Sequence, residues 1–396
     1  MRLYVLANGV KIIHEKKNSN ATAIQVNVAA GSNDETKEEA GISHYIEHML
    51  FEGTTRRPNS FLISNEIERL GGELNAATSN DRTYYYAKVL NKHAGVALDV
   101  LSDIVADPLF SKDAMEREKG VVIDEIKLVN DQPRFYQWVF FESKLFKRHP
   151  VKNPVYGNIP AIRAFDRNMV LRYFRKFYTP DNMTVTIVGG AEGILAKAKK
   201  AFSVLKGKAP KRRRQRLELG QKANTFRKKK GTLQSYVVMG FRTQARAHED
   251  SYCLDLLRAS MGRGQSGRIF KGVRTKHGLA YDVGVLYNPG PDYGYFAVYI
   301  NTNEKNVQKV RRIVLEELNK PLEPREFSEA KDYIEGEFLL QAEDNQKLAE
   351  LIASWDQAAD YRRVKTYIKD IKRLKKAKVD AIAQRYFKDP VMTVIS

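Results

Sequence analysis

Two pairs of segments in this chain resemble each other at a common distance. Residues 178–187 read Tyr-Thr-Pro-Asp-Asn-Met-Thr-Val-Thr-Ile, and residues 386–395 read Tyr-Phe-Lys-Asp-Pro-Val-Met-Thr-Val-Ile. Residues 82–90 and 293–300 form the second pair, each rich in tyrosine and strand-forming residues. Both pairs are offset by about 210 residues, which predicts an internal duplication. Because each half mixes strand-like and helix-like patterns, we predict an α+β fold of two similar domains, each a mostly antiparallel sheet packed with helices.

A polar, basic segment separates the two halves. Residues 206–230 contain Gly207, Pro210 and Gly220 among many lysines and arginines, and Glu218 is their one acidic residue. Like charges repel and extend a chain, so this composition is typical of a linker. We therefore predict a first domain at residues 1–205, a linker at residues 206–230 and a second domain at residues 231–396.

The bulk composition limits the class of protein. The formal net charge is +20, which would suit a nucleic acid or an anionic surface, but solvated surface charge is the favoured interpretation. Cys253 is the single cysteine, so neither an intramolecular disulfide nor a cysteine-rich zinc module is expected. No apolar run is long enough to cross a bilayer, and residues 1–13 read as strand, Asn-Gly turn and strand, without the pattern of a signal peptide. We expect a cytoplasmic protein that does not bind membranes.

The strongest local signal for chemistry is Ser-His-Tyr-Ile-Glu-His at residues 43–48. On a helix, His44 and His48 lie on one face about one turn apart, so both imidazoles can bind one zinc ion. Glu47 projects to the same side and can accept a proton from water that the metal acidifies. Two ordinary surface histidines would give the same pattern, so the motif alone leaves both interpretations open.

A catalytic zinc needs a third protein ligand and an open fourth position. The helix predicted at residues 112–129 offers Glu118 and Glu125, two turns apart on one face. Apolar residues surround Glu125, where a carboxylate is costly unless it is paired or bound to a metal. Without the histidines, a solvated helix acid would be the default interpretation.

Longer motifs surround these residues. Gly-Ile-Ser-His-Tyr-Ile-Glu-His-Met-Leu-Phe-Glu-Gly-Thr stands at residues 41–54, Leu-Gly-Gly-Glu-Leu-Asn-Ala-Ala-Thr at residues 70–78, and Tyr-Thr-Pro-Asp-Asn-Met at residues 178–183. Together with the inverted order His-x-x-Glu-His and the later glutamates, they resemble the pitrilysin/insulysin (inverzincin) metallopeptidase family, in its bacterial and mitochondrial-processing-peptidase-like branch. The resemblance covers essentially the whole chain.

The resemblance implies a zinc metalloendopeptidase that hydrolyses extended or unfolded peptides. By it, one Zn2+ per chain is bound by His44, His48 and Glu125, and Glu47 is the catalytic base. Glu118 then orients a ligand histidine through its free ring nitrogen. The family fold is two similar α+β domains that face each other across a chamber.

The second half lacks a His-x-x-Glu-His motif. Its Arg274 and Tyr281 match the family's spacing for two residues that reach the active site from the non-catalytic domain. A tyrosine hydroxyl can hydrogen-bond the oxyanion of peptide hydrolysis, and a guanidinium can hold substrate backbone. Without the resemblance, a surface arginine and a core tyrosine would be preferred. The glycine cluster at residues 261–268 lacks the Lys-Ser/Thr ending of a P-loop, so a tight connection is favoured over a nucleotide site.

Residues 74–78 precede a turn, and in the family this segment is an edge strand beside the zinc. The substrate adds to it as a further strand, so Asn75 and Ala76 are predicted to bind substrate along with Arg274 and Tyr281. Main-chain pairing tolerates many sequences but requires an extended peptide.

Two further functions stay open. A non-catalytic or regulatory subunit of a heterodimeric peptidase complex would keep the fold, although such subunits lack parts of the metal motif. A nucleic-acid-binding protein is favoured by charge alone. Chains of this size in the family usually work as homodimers or as heterodimers with a related subunit, and both arrangements are compatible with this sequence.

Overall fold

The computed structural model describes residues 1–210 and 215–396, which fall into two compact units. Each unit draws on three separate stretches of the chain. The first unit consists of Met1–Lys127, Pro154–Arg213 and Gln341–Arg362. The second unit consists of Leu128–Asn153, Arg214–Leu340 and Arg363–Ser396.

The described residues form eleven strands in two sheets. The strands are β1 (Arg2–Val5), β2 (Lys11–Lys16), β3 (Ala21–Val28), β4 (Glu73–Thr78), β5 (Thr83–Leu90), β6 (Met183–Gly189), β7 (Asn224–Lys228), β8 (Ser235–Arg242), β9 (Ala280–Pro289), β10 (Gly294–Thr302) and β11 (Val391–Ile395). The α-helices are α1 (Ile42–Leu50), α2 (Ser60–Glu68), α3 (Ala94–Ala106), α4 (Lys112–Asp131), α5 (Pro133–Leu145), α6 (Ile159–Ala164), α7 (Arg167–Phe177), α8 (Ile194–Ser203), α9 (Asp250–Gly262), α10 (Arg268–Phe270), α11 (Val307–Asn319), α12 (Pro324–Glu343), α13 (Asn345–Ala358), α14 (Arg363–Arg373) and α15 (Lys376–Tyr386).

The second sheet repeats the topology of five strands of the first sheet. The first has the strand order β1-β2-β6-β3-β5-β4, and the second has the order β7-β11-β8-β10-β9. In the first sheet β2 and β6 are parallel and the other neighbours are antiparallel. In the second sheet β7 and β11 are parallel and the other neighbours are antiparallel. The second sheet therefore repeats β2 to β6 in order and direction, and the predicted duplicated α+β fold is confirmed.

The similar segments of the sequence occupy equivalent strands. Residues 178–187 lead into β6 and residues 386–395 into β11, the second strand of each repeat. Residues 82–90 contain β5 and residues 293–300 lie in β10. The sequence similarity thus reflects interior strands of each sheet. Side chains are buried on both faces of β6 and β11, whereas those of β5 alternate between buried and half-buried.

One face of the first sheet is polar, and α13 covers it. On β3 the side chains of Gln25 and Asn27 point to this face, because side chains alternate along a strand. Gln346 Nε2 donates to Gln25 Oε1 at 2.9 Å, and Asn27 Nδ2 donates to Gln357 Oε1 at 3.0 Å. Each pair satisfies one polar atom of each of the two amides, which would be costly to bury without a hydrogen bond. The opposite face carries the apolar core of the unit, with members such as Ile24, Val26, Tyr45, Leu98 and Leu101.

In the second unit α5 occupies the equivalent place. Phe141 and Leu145 are fully buried in a cluster with Val238 and Val391 of the second sheet. Gly240 on β8 leaves room for them, because a Cβ there would lie 2.5 Å from the Phe141 ring. Each sheet is therefore covered by a helix from the other half of the chain. The domain predicted at residues 1–205 contains α5, and the domain predicted at residues 231–396 contains α13. In the structure α5 belongs to the second unit and α13 to the first.

Parts of the predicted linker are held by hydrogen bonds within the units. In the first unit the backbone nitrogen of Ala209 donates to Asp181 at 2.8 Å. In the second unit Glu218 accepts a hydrogen bond from Arg242 at 3.0 Å and others from the backbone nitrogens of Lys147, Arg148 and His149. Residue 224 already begins β7. The basic cluster predicted to be part of the tether, Lys211, Arg212, Arg213 and Arg214, lies outside the described residues.

Helices long and apolar enough to cross a bilayer are absent from the described parts of the chain.

Candidate metal centre

The helix that carries the histidines begins at a backbone conformation that only glycine adopts readily. Gly41, its N-cap, has a φ of 93°, in the left-handed region that favours glycine. A Cβ at Gly41 would also lie 2.6 Å from the carbonyl oxygen of Tyr156. Glu35 accepts hydrogen bonds from the backbone nitrogens of Gly41 and Ser43 at 2.8 and 2.9 Å. A carboxylate at this end satisfies free N–H groups and complements the helix dipole, so Glu35 fixes the start of α1.

Helix α1 is tied to α4 within the first unit. The hydroxyl of Tyr45, a fully buried side chain, donates to the carbonyl oxygen of Met115 at 2.6 Å. Met115 and Val122 bury the inner face of α4. This packing presents the next turns of α4, with Glu118 and Glu125, to the histidines of α1.

His44, His48 and Glu125 converge on one point. One donor atom from each residue lies within 4.8 Å of the other two. Glu125 Oε2 is 3.6 Å from His44 Nε2 and 3.7 Å from His48 Nε2. Ligands placed 2.0–2.2 Å from a tetrahedral zinc ion are roughly 3.4 Å apart. The donor set, two imidazoles and one carboxylate, therefore fits a zinc ion in both spacing and chemistry, and leaves a fourth position for water or substrate.

The protonation of His44 favours metal binding. Burial and the neighbouring His48 lower the pKa of His44 to about 4. A metal ion binds the neutral imidazole, so His44 is ready to coordinate near neutral pH without losing a proton.

His48 is oriented from behind by Glu118. Its Nδ1 is 3.0 Å from Glu118 Oε2, and both side chains are largely buried. Burial alone lowers the pKa of His48, but the hydrogen bond that its Nδ1–H donates to Glu118 and the charges of Glu125 and Glu47 outweigh burial, so the pKa is raised. Because Nδ1 is engaged by Glu118, Nε2 is the atom that faces Glu125. This is the arrangement in which a carboxylate fixes the ring of a metal ligand.

Glu47 lies beside the three candidate ligands. Its Oε2 accepts a hydrogen bond from Thr78 Oγ1 at 2.5 Å. Burial raises the pKa of the Glu47 carboxyl, and the hydrogen bond from Thr78 opposes that rise. A carboxylate with a raised pKa is a stronger base than one in water.

Strand β4 ends at this place and forms an edge of the first sheet. In the described residues β5 is its one partner, so the other edge of β4 is open. Asn75 is exposed, and Ala76 is half-buried. The predicted substrate-binding residues thus lie on an open strand edge that leads to Thr78.

Arg274 and Tyr281 belong to the second unit. Arg274 lies in the π-helical turn Lys271–Thr275, and Tyr281 lies near the start of β9, with 76% of its surface exposed. Arg274 Nη1 donates to the carbonyl oxygen of Tyr281 at 2.7 Å, and the guanidinium lies 5.3 Å from the centre of the Tyr281 ring. The two residues therefore form a pair. The tyrosine is on the surface, whereas the sequence pattern without the resemblance favours a core position.

Two segments of the chain match known protein families. Residues 11–158 match the family described as Insulinase (Peptidase family M16), and residues 164–333 match the one described as Peptidase M16 inactive domain. A Streptomyces coelicolor protein named as an uncharacterized zinc protease is 30% identical over 87% of this chain and 78% of its own length. The chain belongs to peptidase family M16.

Other M16 relatives extend the match over the full chain. A Bacillus subtilis protein, YmxG, also named as an uncharacterized zinc protease, is 28% identical over 100% of this chain and 98% of its own length. The crystal structure of a Helicobacter pylori protease has a TM-score of 0.92, with 22% identity, covering 100% of this chain and 99% of that one. A Pseudomonas fluorescens structure described as a peptidase M16 inactive domain has a TM-score of 0.89 and 18% identity, covering 100% of this chain and 97% of that one.

The M16 match confirms the family predicted from the motifs. The part that matches the insulinase family contains His44, Glu47, His48, Glu118 and Glu125, and the part that matches the inactive domain contains the Arg274 and Tyr281 pair. Sequence reasoning did not find the contacts of Glu35 and Thr78 with this centre. Spacing along the chain carries no signal for them, because each lies on a separate element that folding brings to α1.

Proposed function

We propose that this M16 chain is a zinc-dependent endopeptidase that hydrolyses extended peptides. One observation carries the proposal: His44, His48 and Glu125 place three donor atoms within 4.8 Å of one another, with Glu47 on the helix that carries the two histidines. The names of the relatives support zinc and proteolysis in general. The residue roles and the substrate class are inferred from the geometry.

Glu47 acts as the general base. A zinc ion held by the three ligands would polarise the scissile carbonyl and acidify water at the open position. The Glu47 carboxylate accepts a proton from the attacking water and later donates it to the leaving amine. Glu118 holds His48 in the tautomer and orientation that present Nε2 to the metal.

The open edge of β4 selects the form of the substrate. A peptide that pairs with Asn75 and Ala76 through main-chain hydrogen bonds must be extended, because a helix or a closed turn offers no free strand edge. We infer that unfolded or flexible peptides are substrates and that stably folded domains are not.

Arg274 and Tyr281 contact the substrate in this proposal. The exposed Tyr281 hydroxyl would donate to the oxyanion, and Arg274, which already holds the Tyr281 carbonyl oxygen, would fix the position of the tyrosine and contact substrate backbone. The chain would work as a homodimer or as a heterodimer with a related subunit, and sedimentation of the purified chain would show which. Cytoplasmic localisation stays a prediction.

The test is the variant Glu47→Gln in the zinc-loaded protein. We expect it to retain zinc and to lose about 10²–10⁴-fold in turnover of a quenched flexible peptide, which is the usual contribution of a general base. The matched control is Glu116→Gln, which removes an exposed carboxylate from α4 and should leave zinc and turnover unchanged.

Two results would contradict the proposal. If Glu47→Gln with one zinc per chain hydrolyses peptide at the parental rate, the role of Glu47 is wrong. If the zinc-loaded parent cleaves no peptide, the alternative of a non-catalytic or regulatory subunit is favoured.

A further inference from the structure

The side chain of Thr78 connects the edge strand to Glu47. Thr78 is the last residue of β4, and its hydroxyl donates to Glu47 Oε2 at 2.5 Å. The oxygen of Thr83, its cross-strand partner, is 3.4 Å away, near the limit of a hydrogen bond. Thr83 Oγ1 itself donates to the carbonyl oxygen of Ala30 at 3.0 Å. The single hydroxyl proton of Thr78 is therefore directed to Glu47.

This contact constrains Glu47. A glutamate side chain has several rotatable bonds, and a half-buried carboxylate without a donor would turn toward any available partner. The Thr78 hydroxyl donates to Oε2 and the Thr78 backbone N–H also donates to this carboxylate, so one residue holds Glu47 from the side of the edge strand. The burial of Glu47 on one side and the hydrogen bond on the other define one orientation.

We propose that Thr78 is the positioning residue of the general base, and that it aligns Glu47 with the peptide bound on β4. The inference rests on the proposed endopeptidase function. One strand then carries both the substrate-pairing edge at Asn75 and Ala76 and the group that orients the base. Side chains of Ala76 and Thr78 point to the same face of the sheet, since residues two apart share a face.

Thr78 takes no part in proton transfer. The water proton moves to the carboxylate of Glu47 as the new C–O bond forms at the scissile carbonyl. The same proton then moves to the amine nitrogen as the C–N bond breaks. Thr78 keeps its own proton throughout, so its effect depends entirely on Glu47.

The test compares three variants of the full chain. Thr78→Val removes the hydroxyl with almost no change in volume, and Thr78→Ser keeps the hydroxyl. The control is Thr186→Val, since Thr186 is fully buried in β6 of the same sheet and its hydroxyl has no hydrogen-bond partner among the described residues. A hydrogen bond to a charged group is worth a factor of about 10–100, so Thr78→Val should lose that factor in kcat with KM nearly unchanged. Thr78→Ser should recover most of the activity, and Thr186→Val should match the parent.

Two readouts separate this role from a structural one. Zinc content and Tm should be unchanged in Thr78→Val. In a Glu47→Gln background, Thr78→Val should have no further effect on kcat, because the positioned group is already absent. Parental kcat in Thr78→Val, or an equal loss in both backgrounds, would overturn the inference.

Binding of an inhibitor tests the role of Thr78 without depending on turnover. A peptide hydroxamate binds metal and places an O–H group beside the base. Thr78→Val should weaken its binding to the zinc-loaded chain about 10-fold and should have no effect in the Glu47→Gln background. If the parent cleaves no peptide, the proposed function fails while this comparison still decides the role of Thr78. Equal hydroxamate affinity of parent and Thr78→Val would refute it.

Discussion

Glu142 makes the stability of the second unit depend on pH. It lies on α5, is half-buried, and accepts a hydrogen bond from the hydroxyl of the buried Tyr295 at 2.7 Å. Burial raises the pKa of Glu142 to about 7, although the hydrogen bond from Tyr295 favours the ionised form. We predict that Glu142→Gln, which keeps the shape and the acceptor but cannot ionise, removes this dependence on pH.

The raised pKa of Glu142 sets the direction and the size of the change in the free energy of unfolding with pH. In the unfolded chain a glutamate has its ordinary pKa of 4.5, so between that value and about 7 the folded state binds more protons. The stabilising contribution is fully present below pH 4.5 and is lost as the pH rises through 7. From pH 5 to pH 8.5 the free energy of unfolding contributed by this group should fall by roughly 2–3 kcal/mol, since one unit of pKa corresponds to about 1.4 kcal/mol.

The assay is urea unfolding of the metal-free protein across that pH range, so that loss of zinc does not contribute. The parent should lose roughly 2–3 kcal/mol relative to Glu142→Gln as the pH rises from 5 to 8.5. The control is Glu316→Gln, which removes a largely exposed carboxylate from the second unit and should run parallel to the parent. Parallel curves for the parent and Glu142→Gln would refute the reasoning.

Further predictions concern the metal and the second unit. Glu125→Ala should lose zinc, because two histidines make an incomplete site, whereas Glu118→Ala should weaken zinc binding by only about 10–100-fold. Metal analysis after dialysis against a weak chelator compares them, and greater loss from Glu118→Ala would reverse the assignment. Tyr281→Phe should lower kcat by about 10²–10³-fold with zinc content unchanged, and full activity in a peptide assay would make the second unit a scaffold.

Local patterns predicted the elements well. The helix predicted at residues 112–129 begins where α4 begins and is two residues shorter, and Asn59 caps α2 through its side chain, as its residue type favours. The histidine motif lies on a helix as its spacing requires. Such features depend on residues within one or two turns of each other, so the sequence contains them directly.

The partners of the elements could not be predicted in the same way. The apolar residues of α5, such as Phe141, show which face of the helix is buried, but not which sheet covers it. The polar face of β3 reads as solvent-exposed, because Gln25 and Asn27 give no sign of the amides that meet them from residues 346 and 357. The contact of Thr78 with Glu47 is of the same kind. Each depends on pairings between distant segments.

The exchange of α5 and α13 between the two halves has a consequence for synthesis of the chain. A ribosome produces residues 1–205 first, yet the helix that covers the polar face of the first sheet ends at Ala358. Conversely, α5 emerges long before the strands that bury its Phe141 and Leu145. The nascent chain must therefore hold a sheet without its helix until α13 has been made, and an apolar helix without its complete sheet until β11 has been made. A chain arrested before these elements would present both surfaces to chaperones and proteases.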